Sequence, residues 1–115
     1  MNQQWTVMKE VEVAVSHKLE LDYFSKCNNL HGHNLKIRVY ITAYKLNQNN
    51  MVYDFSYIKQ QVSDFLDHKH LNTIFPEEKN ITVEFLAREI CNKLEGCTRV
   101  EIEESPSSVV CYEQV

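Results

Sequence analysis

A strongly alternating stretch in the first half of the chain reads His31-Gly32-His33-Asn34-Leu35-Lys36-Ile37-Arg38-Val39-Tyr40-Ile41. From residue 31 onward, its odd-numbered positions are apolar or carry histidine, whereas its even-numbered positions are mostly polar. A period of two is typical of a β-strand with one buried face. The stretch therefore predicts a strand whose buried row begins with His31 and His33.

A second alternating stretch lies upstream, over residues 5–17, and its apolar row ends at His17. That row consists of Trp5, Val7, Val11, Val13 and Val15. If the two strands pair antiparallel, the last residues of the first strand lie beside the first residues of the second. His17, His31 and His33 are then expected to converge at one end of the sheet.

Three converging histidines are a candidate metal site. Three neutral imidazoles that leave a fourth coordination position free form the ligand set of a catalytic zinc, whereas a structural zinc has four protein ligands. A histidine by itself is more often an ordinary hydrogen-bonded residue. Because two of these histidines are spaced i, i+2 on one face and the third stands at the facing strand end, the pattern favours zinc.

Two helices are expected after the second strand. The first follows an N-cap at Asp54 or Ser56 and ends near Asp67, and its apolar residues recur at helical spacing. The second begins after an N-cap at Thr82 and stops before Gly96.

Alternation returns at residues 100–103, and after a Ser-Pro-Ser-Ser turn the apolar residues 109–112 follow. These stretches predict two final strands. The element order is therefore β-β-α-α-β-β, and the expected fold class is α+β.

Composition limits the range of functions. The 115 residues suit one domain, expected to span residues 1–115, and two glycines and two prolines leave no visible linker. A net charge of −4 with scattered lysines and arginines argues against a sequence-independent nucleic-acid surface. No secretion signal or apolar run of bilayer length is visible, so a cytoplasmic protein without membrane insertion is expected. The four cysteines form no Cys-x-x-Cys pair and are expected to be free thiols.

Glu104 breaks the apolar row of the third expected strand. By alternation it continues the row of Val100 and Ile102, so its carboxylate points inward or into a cleft, where an unpaired charge is costly unless a ligand supplies donors. Alternatively, the strand ends before Glu104, and this residue opens the following turn. The spacing leaves both possibilities open.

Several motifs that cover almost the whole chain resemble, in their order, those of one known family. They are Ala14-Val15-Ser16-His17, Cys27-Asn28-Asn29-Leu30-His31-Gly32-His33-Asn34, Met51-Val52-Tyr53-Asp54-Phe55, Leu66-Asp67-His68-Lys69-His70-Leu71-Asn72, Thr82-Val83-Glu84 and Glu104-Ser105-Pro106-Ser107-Ser108. Each piece is short, but the combination rarely occurs by chance. The chain resembles the 6-pyruvoyl-tetrahydropterin synthase and 6-carboxy-tetrahydropterin synthase family.

The resemblance implies a fold and an assembly. In the tunnelling fold of this family, each subunit supplies a four-stranded antiparallel sheet and two helices, and the sheets join edge to edge into a barrel. Closing the sheet edges with identical neighbours satisfies their backbone donors and acceptors. Trimers of the family stack in pairs into hexamers, so a homo-oligomer, trimer or hexamer, with active sites between subunits is expected.

The resemblance also implies residue roles on 7,8-dihydroneopterin triphosphate, the expected substrate. The zinc, which binds the substrate's side-chain hydroxyls, would be held by His17, His31 and His33. Cys27 corresponds to the catalytic thiol of the family, which acts as a general base once it is ionised. Asp67 and His68 correspond to the acid–base relay pair, and they can cooperate only if the first helix ends there.

The pterin ring has its own expected partners. Glu104 corresponds to the glutamate that accepts two parallel hydrogen bonds from the ring's amino group and the adjacent N–H. Thr82 and Glu84 correspond to the Pro-Thr-x-Glu-Asn pocket segment, although Ile81 replaces the proline and Phe85 the asparagine. A simple N-cap threonine with an acid in the first helical turn explains Thr82 and Glu84 about as well.

The product depends on the branch of the family. The pyruvoyl branch eliminates triphosphate and keeps all side-chain carbons. The carboxy branch also breaks the bond between the first two side-chain carbons, which releases acetaldehyde and gives 6-carboxy-5,6,7,8-tetrahydropterin, an intermediate toward queuosine. Because this short chain with its Cys-Asn-Asn-Leu-His-Gly-His motif is more similar to compact bacterial members, the carbon–carbon lyase of the carboxy branch is expected.

Two alternatives belong to other functional classes. A non-catalytic zinc module would use Cys27 as a fourth ligand and would protect that thiol from alkylation. A cysteine hydrolase would pair Cys27 with His68, but it would leave the three zinc histidines without a role.

Overall fold

The computed structural model describes residues 2–114 as a mixed sheet with helices packed on one of its faces. The strands are β1 (Trp5–His17), β2 (His31–Ala43), β3 (Lys69–His70), β4 (Cys97–Ser105) and β5 (Ser108–Glu113). The helices are α1 (Phe55–Leu66), α2 (Leu71–Ile74) and α3 (Val83–Lys93). A short 3-10 turn, Lys26–Asn28, lies in the connection between β1 and β2.

The strand order in the sheet is β3-β1-β2-β4-β5. The long strands are antiparallel to their neighbours, and the register of β1 and β2 places His17 opposite His31 and Val15 opposite His33. This register confirms the predicted antiparallel pairing of the first two strands. It brings the end of β1 and the start of β2 to the same end of the sheet.

The core lies between one face of the sheet and helices α1 and α3. The fully buried members of this core include Val13, Leu35, Ile37, Val39, Ile58, Leu66, Leu86, Ile90, Val100 and Ile102. The sheet residues of this set occupy the alternating apolar rows that the sequence predicts, and burying such rows removes them from water. His17 ends one of these rows and is buried at 5% exposure, although it is polar.

The helix boundaries follow from local capping. The carboxylate of Asp54 accepts a hydrogen bond from the Ser56 N–H at 2.8 Å, so Asp54 is the N-cap of α1. The hydroxyl of Thr82 accepts one from the Phe85 N–H at 3.1 Å and caps α3. Gly96 follows α3 with φ of 80°, a left-handed conformation that suits glycine.

No helix within residues 2–114 is long and apolar enough to cross a membrane.

The sheet has one strand more than predicted, and there is one additional helix. Both follow His68: β3 pairs in parallel with Val15 and Ser16 of β1, and α2 is a single turn. A strand of two residues and a helix of four are too short to produce a readable hydrophobic period. Their position is set by the backbone pairing with β1.

Candidate metal centre and active site

The three predicted histidines converge at the end of the β1–β2 ladder. The ring centroid of His17 lies 4.5 Å from that of His31 and 5.2 Å from that of His33, and the His31 and His33 centroids are 4.8 Å apart. One ring nitrogen from each lies within 4.8 Å of the others. The predicted convergence is therefore confirmed. It results from the cross-strand register of β1 and β2. We call these three residues the histidine cluster.

Backbone oxygens orient two rings of the cluster. The Nδ1 atom of His17 lies 2.8 Å from the carbonyl oxygen of Ile81, and Nδ1 of His31 lies 2.7 Å from that of Asn29. A carbonyl oxygen can only accept, so Nδ1 carries a proton, and in the neutral imidazole the free lone pair is then on Nε2. Metal-binding histidines are commonly held in this way by an acceptor on the second ring nitrogen.

The Nε2 atom of His17 indicates what the cluster can bind. It is buried and has no hydrogen-bond partner among residues 2–114. Burial, together with the neighbouring His31 and His33, lowers the pKa of His17 more than the Ile81 hydrogen bond and the Glu104 charge raise it, which favours the neutral ring. A neutral imidazole with an unsatisfied, buried nitrogen is the state that a metal ion requires. The donor set therefore fits zinc, which commonly takes imidazole nitrogens.

Glu104 faces the same cluster. Its Oε1 atom lies 3.7 Å from Nδ1 of His33, and β4 continues to Ser105 with an irregularity in the pairing between Glu103 and Ser105. The strand therefore does not end before Glu104. The side chain points to the cleft of the histidines, but it is 38% exposed rather than buried in the chain.

Cys27 lies in the 3-10 turn between β1 and β2 and is half-buried. Its N–H donates to the hydroxyl of Ser25 at 3.1 Å, and its carbonyl oxygen accepts from the Leu19 N–H at 2.9 Å. Within residues 2–114, the group of side chains close enough to share a metal ion contains the three histidines and not Cys27. This arrangement leaves the thiol outside the ligand set.

Asp67 and His68 follow the end of α1 at Leu66, so the condition for their cooperation is met. One carboxylate oxygen of Asp67 accepts from the Ala14 N–H at 2.9 Å, and the other lies 3.5 Å from Nε2 of His68. The His68 N–H donates to the Ala14 carbonyl oxygen at 2.7 Å. His68 has a φ of 60°, and its side chain is 83% exposed.

The Asp67–His68 pair and the Cys27 thiol are not joined within one chain. Among the hydrogen bonds and ion pairs of residues 2–114, none links either member of the pair to Cys27. The pair is attached to β1 at Ala14, on the strand edge that β3 extends, whereas Cys27 lies in the loop that leads to β2. Within the described residues, the pair and the thiol are therefore not in direct polar contact.

The predicted pocket residues Thr82 and Glu84 lie at the start of α3, where Thr82 is the N-cap. Thr82 is half-buried and binds the Phe85 N–H, and Glu84 is an exposed residue of the first turn. Neither side chain contacts the histidine cluster through a hydrogen bond within the described residues. The link from this segment to the cluster is the carbonyl oxygen of Ile81.

The family described as 6-pyruvoyl tetrahydropterin synthase matches residues 6–115. The chain belongs to this family. It is accordingly an enzyme of the tetrahydropterin synthase family, as the motifs predict.

Relatives of this tetrahydropterin synthase family member lie in both branches. The 6-carboxy-5,6,7,8-tetrahydropterin synthase of Synechocystis is 34% identical over 94% of this chain and 92% of that protein. A putative 6-carboxy-5,6,7,8-tetrahydropterin synthase of Pyrococcus horikoshii is 44% identical over 58 residues, which span 50% of this chain and only 36% of that protein. The solved 6-pyruvoyl tetrahydropterin synthase of Caenorhabditis elegans has a TM-score of 0.79 and 26% identity, and the match covers 99% of this chain and 98% of that chain.

The groups that orient the histidines of this tetrahydropterin synthase are not visible in its sequence motifs. The acceptors for His17 and His31 are the backbone carbonyls of Ile81 and Asn29. A backbone carbonyl is present in every residue, so it leaves no signal in the sequence. Only the approach of residue 81 to residue 17 in the fold reveals the first of these anchors.

Proposed function

We propose that the protein is a zinc-dependent 6-carboxy-5,6,7,8-tetrahydropterin synthase. It converts 7,8-dihydroneopterin triphosphate and water to 6-carboxytetrahydropterin, acetaldehyde and triphosphate, as a step toward queuosine. The observation that carries the proposal is the cluster of His17, His31 and His33, in which two rings have Nδ1 bound to carbonyls and Nε2 free. The name of the Synechocystis relative supports the carboxy branch.

The histidine cluster would hold the zinc. When bound, zinc acts as a Lewis acid that lowers the pKa of the substrate's side-chain hydroxyls. The carbonyls of Ile81 and Asn29 keep the imidazoles in the tautomer and orientation that binding needs. The exclusion of Cys27 from the cluster supports an open, catalytic site over a closed structural one.

The remaining residues supply proton transfer and binding. The Cys27 thiolate removes a proton from the substrate side chain as a general base. Asp67 orients His68, which exchanges protons with the reacting side chain. In this proposal Glu104 accepts hydrogen bonds from the pterin ring, and Thr82 and Glu84 would contribute further contacts to the substrate.

We further propose that the site is completed between subunits of a homo-oligomer, a trimer or hexamer in the cytoplasm. Support comes from the lack, among residues 2–114, of any hydrogen bond or ion pair that joins the Asp67–His68 pair to Cys27. The outer edge of β5 also has no strand beside it in the described chain, and Val109 on this strand is 52% exposed. Pairing of such edges between identical subunits would satisfy their backbone groups.

Product analysis tests the proposed reaction. We expect the zinc-loaded protein to convert 7,8-dihydroneopterin triphosphate to a pterin with the mass of 6-carboxytetrahydropterin, with one equivalent of acetaldehyde released. Mass spectrometry of the pterin and an aldehyde assay measure the two products. A 6-pyruvoyl pterin without acetaldehyde would instead identify the pyruvoyl branch, the second candidate, which the similarity to the Caenorhabditis elegans structure favours.

Replacing Glu104 with glutamine tests the pterin anchor. The variant loses the charged acceptor, and a hydrogen bond to a charged group contributes about 1.5–3 kcal/mol, so we expect kcat/KM to fall about 10- to 100-fold through KM. Steady-state kinetics at saturating zinc measure the change. The matched control is Glu103→Gln, because Glu103 lies on the same strand but binds Arg38 at 3.1 Å. An unchanged KM in Glu104→Gln would contradict this role.

A further inference from the structure

Residues 18–21 connect the metal-ligating end of β1 to the Cys27 turn, and their backbone is bound from two sides. The N–H groups of residues 18 and 20 are bound by the side chains of two distant asparagines. The N–H groups of residues 19 and 21 bind the turn that carries Cys27. This alternation is how the middle strand of a sheet is bound, although here the partners are side chains and a turn.

The two asparagines each bind both backbone groups of one residue. Asn72 accepts from the Lys18 N–H at 3.0 Å and donates to the Lys18 carbonyl at 3.1 Å. Asn80 accepts from the Glu20 N–H at 2.7 Å and donates to the Glu20 carbonyl at 3.4 Å. An amide side chain has the donor and the acceptor needed for this double contact. We call Asn72 and Asn80 the asparagine clamp.

The other side of the segment carries the thiol turn. The Leu19 N–H donates to the carbonyl oxygen of Cys27 at 2.9 Å, and the Leu21 N–H donates to the side-chain oxygen of Asn28 at 2.9 Å. Leu19 is also buried, which anchors this segment in the fold. The asparagine clamp therefore holds residues 18–21, and these residues in turn hold the turn that carries Cys27.

The two clamp residues lie next to segments that also hold the histidine cluster. Asn80 immediately precedes Ile81, whose carbonyl oxygen binds His17. Asn72 follows β3, which pairs with β1 at Ser16, the residue before His17. The same two connections thus fix one zinc ligand and the loop of the thiol in a common frame.

The clamp asparagines differ from an ordinary loop asparagine in how far apart in sequence their hydrogen-bond partners lie. Asn47 caps its own turn, where its side-chain oxygen accepts from the N–H groups of Asn49 and Met51. The clamp contacts instead join positions 54 and 60 residues apart in the sequence. Local turn formation does not require such contacts.

We propose that Asn72 and Asn80 are positioning residues that hold the Cys27 thiol in place relative to the histidine cluster. The proposal rests on the proposed function, because that function gives Cys27 its catalytic role. Loss of either amide removes two hydrogen bonds to residues 18–21 and allows the Cys27 loop to open locally. The hydrogen bond between His17 and Ile81 involves no atom of the clamp, so the cluster keeps its geometry.

The test compares Asn72→Ala and Asn80→Ala with Asn47→Ala as the matched control. All three are made in a Cys111→Ser background, because Cys111 is exposed whereas Cys91 and Cys97 are buried. Burial also raises the pKa of Cys97 to about 12, which suppresses its reaction. The measurements are the iodoacetamide alkylation rate of Cys27, the bound zinc, and kcat and KM for 7,8-dihydroneopterin triphosphate.

For each clamp variant we expect alkylation of Cys27 to accelerate about tenfold, because the half-buried thiol becomes more accessible. We expect kcat to fall about 10- to 100-fold, since a misplaced base reacts less often, while KM and bound zinc stay unchanged. Asn47→Ala should change neither the alkylation rate nor kcat. Unchanged zinc content and KM distinguish lost positioning from general destabilisation, which would also lower the bound zinc because the histidine cluster needs the folded β1–β2 ladder.

The proposal is overturned if both clamp variants match Asn47→Ala in alkylation rate, or if they lose zinc. If Asn72→Ala does not fold, Asn80→Ala decides the question, because it removes an independent pair of hydrogen bonds. If the parent protein does not convert the pterin, the proposed function fails separately. The alkylation rates and zinc contents then still decide whether the clamp holds the Cys27 loop.

Discussion

Replacing Cys27 with alanine is expected to abolish turnover of 7,8-dihydroneopterin triphosphate while zinc stays bound. General-base catalysis contributes about 10²- to 10⁴-fold to a rate, so kcat should fall by at least about a hundredfold. Zinc should remain at the parent stoichiometry, because the cluster that fits the metal consists of histidines alone. Kinetics and metal analysis of the purified assembly measure both quantities.

The matched control for this variant is Cys111→Ser. Cys111 is an exposed thiol on β5, a different part of the sheet from the Cys27 turn. We expect its replacement to leave both kcat and zinc content unchanged. Loss of zinc in Cys27→Ala would contradict the catalytic interpretation and would indicate a closed zinc module with Cys27 as the fourth ligand.

Replacing His31 with alanine is expected to eliminate both zinc binding and turnover. Losing an outer-shell partner weakens a metal site by about 10- to 100-fold, and losing a direct ligand should exceed that effect. The variant should fold, because the side chain of His31 binds the carbonyl of the neighbouring Asn29 and is not part of the core. Metal content after dialysis and the activity with added zinc are the measurements.

His70→Ala provides the control for a general effect of removing a histidine. His70 lies on β3, and its Nδ1 is 3.1 Å from the Ser16 hydroxyl rather than in the cluster. We expect this variant to retain the zinc of the parent protein. Full zinc occupancy in His31→Ala would refute the assignment of the cluster as the metal site.

The alternation of apolar and polar residues was sufficient to predict the paired strands β1 and β2 and the place where the histidines meet. The apolar rows that end at His17 and begin at His31 determine which faces of β1 and β2 are buried, and antiparallel pairing then determines where the histidines meet. The caps at Asp54 and Thr82 were also predictable, since capping depends on residues within one helical turn. These features depend on contacts that are local or that follow from a strand register.

The sequence patterns did not predict β3 and α2. They also did not predict the hydrogen bonds that hold the site in place. The hydrogen bond from His17 to Ile81, and those from Asn72 and Asn80 to residues 18 and 20, join parts of the chain that are far apart in sequence. Most of the groups they meet are backbone atoms, which are identical in every residue. Their partners are therefore decided by how the loops pack.

By itself, the sequence determined the α+β class, the paired strands and the three histidines that converge on one point. The physical reason is that burial of an alternating apolar row fixes which face of each strand meets the core, since a shift by one residue would turn the whole row toward solvent. Only the tertiary structure decided which atoms orient those rings, that Cys27 stays outside their cluster, and that no hydrogen bond or ion pair of the described residues links Asp67 or His68 to the thiol. These outcomes depend on distances between segments that no local pattern encodes, because they arise when the loops fold against the finished sheet.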